Sequence, residues 1–130
     1  KDMAASESLA SAASEGAETN GEAWKAERAH LESIRDRVRE HGARTVVFLF
    51  PYESQVLLEE FDRRPIERIR GRCDELGLPF VDLAEEFRRE ARAAEPMRRL
   101  FIKGDRYHPN PYGYGIVADR VQALIAELGR

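Results

Sequence analysis

Between Thr45 and Ala94 the chain alternates apolar runs with amphipathic stretches, and this alternation narrows the fold more than any other feature. Thr45-Val46-Val47-Phe48-Leu49-Phe50 is a continuous apolar run, β-branched at first, which reads as a strand covered on both faces. Pro65 stands at a first-turn position, Ile66, Ile69, Cys73 and Leu76 share one helical face, and Gly77 closes the helix. Phe80 to Leu83 reads as a short second strand, and Ala84 to Ala94 as a helix with Pro96 just beyond it. Strand, helix, strand, helix in this order implies parallel pairing through crossovers, which is the α/β class. Two strands are few for a stable isolated sheet, because each needs a partner and helices on both faces. The sequence therefore predicts an exposed edge or face that invites association with an N-terminal segment or another copy.

The flanking segments are plainer. Residues 1–20 are rich in Ala, Ser and Glu, with Met3 and Leu9 as the only large apolar residues, and they read as a mobile tail or linker or a frayed helix. From Glu22 to His41, Trp24, Leu31, Ile34 and Val38 recur at helical spacing, with Gly42 where a C-cap belongs. Leu100-Phe101-Ile102 is a short apolar patch. A last helix, from Pro111 or Gly113 to Leu128, is expected to bury Ile116, Val117, Val121, Leu124, Ile125 and Leu128.

Chemistry is written between the apolar patch and that last helix. In Asp105-Arg106-Tyr107-His108-Pro109-Asn110, an acid precedes a histidine by three residues, on a loop restricted by Pro109 and Pro111. A carboxylate that accepts the Nδ1 proton of an imidazole leaves Nε2 free to take a proton from a serine. The loop also follows the last apolar patch, and working residues of open α/β sheets lie beyond the carboxyl ends of strands. The plain alternative is an Asp105 that caps a turn and a His108 that packs as a half-buried ring.

This block resembles the C-terminal part of the SGNH (GDSL-type) serine hydrolases, in which Asp-x-x-His-Pro precedes the last helix and a glycine follows a few residues later. Thr45 to Pro51 is similar to the family's buried strand ending in proline, and Pro79-Phe80-Val81-Asp82-Leu83 to its next strand. The resemblance implies a three-layer α/β/α, flavodoxin-like domain with a parallel sheet, of which residues 21–130 form the C-terminal part. It makes Asp105 the triad acid and His108 the base, in an ester hydrolase or a related O-acyltransferase acting on a small-molecule or carbohydrate ester. No cofactor is implied. The family's Gly-Asp-Ser nucleophile segment does not occur, and Asn20, between Thr19 and Gly21, does not fit its Gly-x-Asn-Asp oxyanion segment. The chain thus reads as the second half of such an enzyme, with the serine outside this sequence. A non-catalytic α/β binding module that keeps the loop as structure is the competing expectation.

Other residues carry less. Ser54 lacks a glycine-flanked elbow and reads as a turn or capping serine, and Asp82 as a cap for the next helix. Asp105 and His108 have no third ligand at a metal-binding spacing, so no metal site is expected. Tyr107, Tyr112 and Tyr114 either line a substrate cleft or pack the loop. His30 and His41 fall on the polar side of the first helix. Arg63, Arg64, Arg68, Arg70 and Arg72, broken by Glu67, read as a solvated face. A net charge of −3 gives no electrostatic case for nucleic acid, and the excess of arginine over lysine reads as the compositional bias of a GC-rich genome. Cys73 is the only cysteine, which excludes a disulfide framework and a cysteine zinc site. No apolar run reaches membrane-spanning length, and no signal peptide opens the sequence.

Overall fold

The computed structural model describes the backbone of residues 3–129 and the side chains of residues 21–129. The chain divides into two compact units, residues 1–45 and 46–130. The first is a single helix, α1 (Met3–Glu40), which begins well before the expected Glu22. The expected mobility of residues 1–20 concerns side chains outside the described residues. Along α1, Trp24, Leu31 and Val38 are half-buried, whereas Ile34 is exposed. The Arg35 guanidinium ties Asp36 at 2.8 Å and Glu32 at 3.6 Å. The helix ends in a turn at Gly42, past which the Ala43 N–H donates back to the Val38 carbonyl. His30 and His41 are exposed, and His41 Nδ1 donates to the Arg37 carbonyl at 2.8 Å.

The second unit is α/β. Strand β1 (Val47–Leu49) pairs in parallel with β2 (Phe80–Asp82), in the register Val47 to Phe80, Phe48 to Val81 and Leu49 to Asp82. The Val47 N–H donates to the Pro79 carbonyl and the Leu83 N–H to the Leu49 carbonyl, which extends the ladder past both ends of β2. Between the strands lie a short helix, α2 (Glu53–Leu57), which the sequence did not predict, and α3 (Arg64–Leu76). Helices α4 (Ala84–Arg92) and α5 (Pro111–Leu128) follow. Gly77 closes α3 in the left-handed region, at φ 66°, where a side chain would clash with its own backbone.

The core gathers Val56, Val81, Leu83, Phe87, Ala91, Leu100, Phe101 and Leu124. The rings of Phe87 and Phe101 meet at 5.9 Å with 52° between planes, so α4 and the segment before the loop share one apolar contact. Burying a phenyl ring of this kind contributes about 2–3 kcal/mol. Two expectations are corrected at the margins of this core. The strand expected over Thr45–Phe50 with both faces covered is three residues long and only half-buried throughout, because its sheet has just one neighbouring strand. The last helix buries Leu124 alone among its large apolar residues. Ile116, Val117, Val121 and Leu128 are half-buried, and Ile125 is 65% exposed.

Charged side chains tie the second unit together from outside. Arg63 reaches Asp82 at 3.1 Å, Glu85 at 3.2 Å and Glu67 at 3.8 Å, Arg70 reaches Glu67, and Arg72 reaches Glu75. On α3, Arg64, Arg70 and Arg72 are thus each paired with a carboxylate. Arg88 is buried instead. Its guanidinium donates to the carbonyls of Gln55, Leu58 and Glu59 at 2.6–2.8 Å, the groups that the end of a five-residue helix leaves without partners. Among the described residues, no helix is long and apolar enough to cross a membrane.

Candidate functional site

Residues 100–102 and 108–110 form a narrow antiparallel ribbon. The Ile102 N–H donates to the His108 carbonyl at 3.0 Å and the Asn110 N–H to the Leu100 carbonyl at 2.9 Å, with Phe101 opposite Pro109. Leu100, Phe101 and Pro109 are buried, so the ribbon is anchored by apolar side chains and its tip stands in solvent. The tip turns tightly: the Asp105 N–H donates to the Ile102 carbonyl at 3.0 Å, and Gly104 sits at φ 84°.

Asp105 organises the tip with both carboxylate oxygens. Oδ1 accepts the backbone N–H groups of Tyr107 at 2.8 Å and His108 at 3.1 Å. Oδ2 lies 2.6 Å from His108 Nδ1. An ionised carboxylate only accepts, so Nδ1 carries a proton, and in the neutral ring Nε2 is the nitrogen that presents a lone pair. Among the described residues Nε2 makes no hydrogen bond, and the imidazole is 66% exposed. The N–H of Tyr107, and after it the His108 ring, hold the Asp105 carboxyl below the usual carboxylate range. Asp105 therefore stays charged at neutral pH, as an imidazole partner must.

The ribbon is joined to α5 by Asn110. Its Oδ1 accepts the Gly113 N–H at 3.1 Å, a helix N-cap, while its Nδ2 donates to the Arg99 carbonyl at 2.9 Å on the opposite strand. Gly113 is required by close approach: a Cβ there would lie 2.5 Å from the Leu100 carbonyl oxygen and 2.7 Å from Pro109 Cβ. The first turn of α5 is thereby pressed onto the backbone that carries His108.

The structure distributes the other candidate residues as follows. Ser54 lies within the first turn of α2, exposed, with Tyr52 rather than Ser54 at the N-cap position, so it is not a capping serine. The Asp82 carboxylate accepts the Ala84 N–H at 2.9 Å and is fenced by Arg63, with its side chain 7% exposed; Leu83 rather than Asp82 holds the N-cap position, so Asp82 supports the start of α4 from the residue before the cap. Tyr107 is exposed beside His108, and Tyr114 is exposed on α5. Tyr112 lies under the Arg98 guanidinium at 5.1 Å and lines a groove of about 450 Å³ between α4 and α5 with Glu86, Arg89, Asp119 and Arg120. Neither Asp105 nor His108 lines that groove. Among the described residues, no group of three or more His, Cys, Asp or Glu side chains is placed to hold a metal.

Two features at the loop escape the sequence pattern. Tyr52 meets Tyr107 edge to face, with ring centroids 5.3 Å apart and 85° between planes. The Glu53 N–H donates to the Arg106 carbonyl at 2.9 Å, which fastens the start of α2 to the loop tip. Their position just past a strand and its buried Pro51 is the signal that points to them, because the segment after a strand is where α/β sheets place working residues. No protein-family model matches the chain, and neither does any curated protein or solved structure.

Proposed function

We propose that this chain supplies the acid and base of an SGNH-type ester hydrolase or related O-acyltransferase, within a three-layer flavodoxin-like domain. The observation that carries the proposal is the 2.6 Å contact between Asp105 Oδ2 and Nδ1 of an exposed His108. Asp105 fixes the tautomer and steadies the imidazolium. His108 Nε2 takes the proton of a serine hydroxyl, supplied from outside these residues, as its oxygen attacks the ester carbonyl. The same nitrogen then returns the proton to the departing alkoxide, leaving an acyl-serine for water or an acceptor alcohol to resolve. Because the serine and the oxyanion donors are not among these residues, the 130-residue chain is a poor esterase alone.

A specific observation favours the non-catalytic module. The two backbone bonds to Asp105 Oδ1 shape the loop whether or not His108 reacts. A fluorophosphonate probe, which labels activated serines, separates the two readings on protein of native length. Labelling and p-nitrophenyl acetate turnover that both vanish in His108→Ala are expected. A native-length protein that neither labels nor turns over ester makes the loop structural.

A further inference from the structure

The loop tip is shaped from within and held from outside by different groups. The Tyr107 and His108 N–H groups on Asp105 Oδ1, and the Asp105 N–H on the Ile102 carbonyl, close the tip on itself. They leave its tilt against the rest of the unit open. Among the described residues, the backbone of residues 103–107 makes one hydrogen bond beyond the ribbon, from the Glu53 N–H to the Arg106 carbonyl at 2.9 Å. That carbonyl and the Tyr107 N–H belong to a single planar peptide unit. Its oxygen faces α2, and its N–H donates to Asp105 Oδ1 at 2.8 Å. A donor on the oxygen fixes the plane and polarises it, which strengthens what the N–H gives to the carboxylate. The Tyr107 N–H is also the foremost influence that holds the Asp105 carboxyl below its ordinary range. One amide therefore stands between α2 and the carboxylate on His108.

The donor is itself held. A helix of five residues does not stand alone in water, and α2 is fastened at three points. Val56 lies in the core, the Tyr52 N–H donates to Gln55 Oε1 at 2.8 Å, and the buried Arg88 guanidinium takes the carbonyls of Gln55, Leu58 and Glu59. Arg88 follows Phe87 on α4, and the Phe87 ring meets Phe101, which lies opposite Pro109 in the ribbon. Two consecutive residues of one helix thus secure the two supports that converge on the tip. Phe87 holds the ribbon and Arg88 holds α2. The Tyr52–Tyr107 ring contact closes the same joint from the solvent side.

We infer that Glu53, through its backbone N–H, and Arg88, through its grip on α2, are positioning residues for Asp105 and His108, acting through the peptide unit between Arg106 and Tyr107. The inference rests on the triad reading for its catalytic meaning and deepens it. The coupling itself is measurable without turnover. A role for α2 confined to covering the core predicts the opposite result, a His108 ring indifferent to the Glu53 N–H.

The test uses the 130-residue chain labelled with nitrogen-15, in mildly alkaline solution where an imidazole is neutral. Ring nitrogen shifts give the ratio of Nδ1–H to Nε2–H tautomers of His108, and the Tyr107 amide proton reports its bond to Asp105. Glu53→Pro is the deciding variant. Position 53 opens α2, where proline suits a helix, and Tyr52 at φ −79° and ψ 155° already has the conformation that a following proline demands. The ring deletes the donor and sets a methylene against the Arg106 carbonyl, while α2 is spared. Glu53→Ala removes the same carboxylate and keeps the N–H, so the difference between the two variants isolates that donor. Relative to Glu53→Ala, Glu53→Pro is expected to move the ratio about fivefold away from Nδ1–H, one hydrogen bond's worth, with the Tyr107 amide proton moving upfield. Arg88→Lys keeps the charge and loses the guanidinium fork. It is expected to move the ratio the same way, and to add less on top of Glu53→Pro than it does alone. Unmoved amides in α3 show that each variant is folded. Equal ratios in Glu53→Pro and Glu53→Ala overturn the inference, and a native ratio or full additivity in Arg88→Lys removes Arg88 from it. No step of this test needs a serine. An indifferent ring leaves the fluorophosphonate experiment standing, and a failed labelling leaves the coupling to α2 measurable.

Discussion

The first turn of α5 and its last two turns draw on similar residues, small or apolar ones mixed with polar, yet they pack to opposite degrees. At the first turn, Asn110 bridges the ribbon and the helix, Gly113 touches the Leu100 carbonyl, and Pro109 is buried. Toward the end, only Leu124 is buried, while Ile125 faces solvent. The difference shows where this unit concentrates its order. Interactions accumulate at the backbone that holds Asp105 and His108, and the far end of the same helix is left with apolar surface that the two-stranded sheet is too narrow to cover.

The comparison is sharpened most by the loop itself. Asp105→Asn keeps an acceptor toward the Tyr107 N–H but offers an uncharged partner to the imidazole, which then loses its fixed tautomer. Turnover of native-length protein is expected to fall by about 10³-fold or more, while the circular dichroism spectrum is retained. An unchanged rate would remove Asp105 from the triad. Next in size, Gly113→Ala drives a Cβ into a backbone oxygen and is expected to destabilise the second unit by about 3 kcal/mol, measured as a lower urea midpoint at constant slope. Two residues along the helix, Gly115 has open space around it, so Gly115→Ala is expected to stabilise by about 0.5–1 kcal/mol. Equal effects at the two glycines would abolish the contrast. At the loose end, Ile125→Lys is expected to shift stability by less than about 0.5 kcal/mol. A loss of several kcal/mol there would mean that Ile125 is covered in solution.

The smallest effect is the pH response. The folded carboxyl of Asp105 is depressed, chiefly by the Tyr107 N–H, so its stabilising contribution is present above the ordinary aspartate value of 3.8 and is lost as pH falls through the lower folded value. Carbon-detected titration should place the Asp105 midpoint below 3.8, with the Tyr107 and His108 amide shifts following the same curve. A midpoint at or above 3.8 would dissociate the carboxylate from those amides.

Much of this was legible from residue order. Pro65 and Gly77 bounded α3 because a proline without an N–H and a glycine at positive φ each suit one end of a helix. Asp82 was readable as a start signal for α4, and the Asp105–His108 spacing as a carboxylate within reach of Nδ1. What escaped depends on distant partners. α2 is too short for a periodic signal, and it is held by Arg88, more than thirty places further on at its first carbonyl, Gln55. An arginine in an Arg-rich helix gives no sign in sequence that it is the buried one. The half-covered β1 and α5 escaped for a related reason: apolar content says that a face seeks cover, not whether the described chain supplies it.

Cys73 opens a kinetic view of this architecture. It is the only thiol in the sequence, and no part of it is exposed on the inner face of α3. A maleimide can meet its sulfur only during excursions in which that helix lifts, so the labelling rate counts those excursions directly. Reagent-limited and opening-limited regimes are distinguishable by varying reagent concentration. The chain thus carries its own clock for how often the α3 face is laid bare, with no probe introduced.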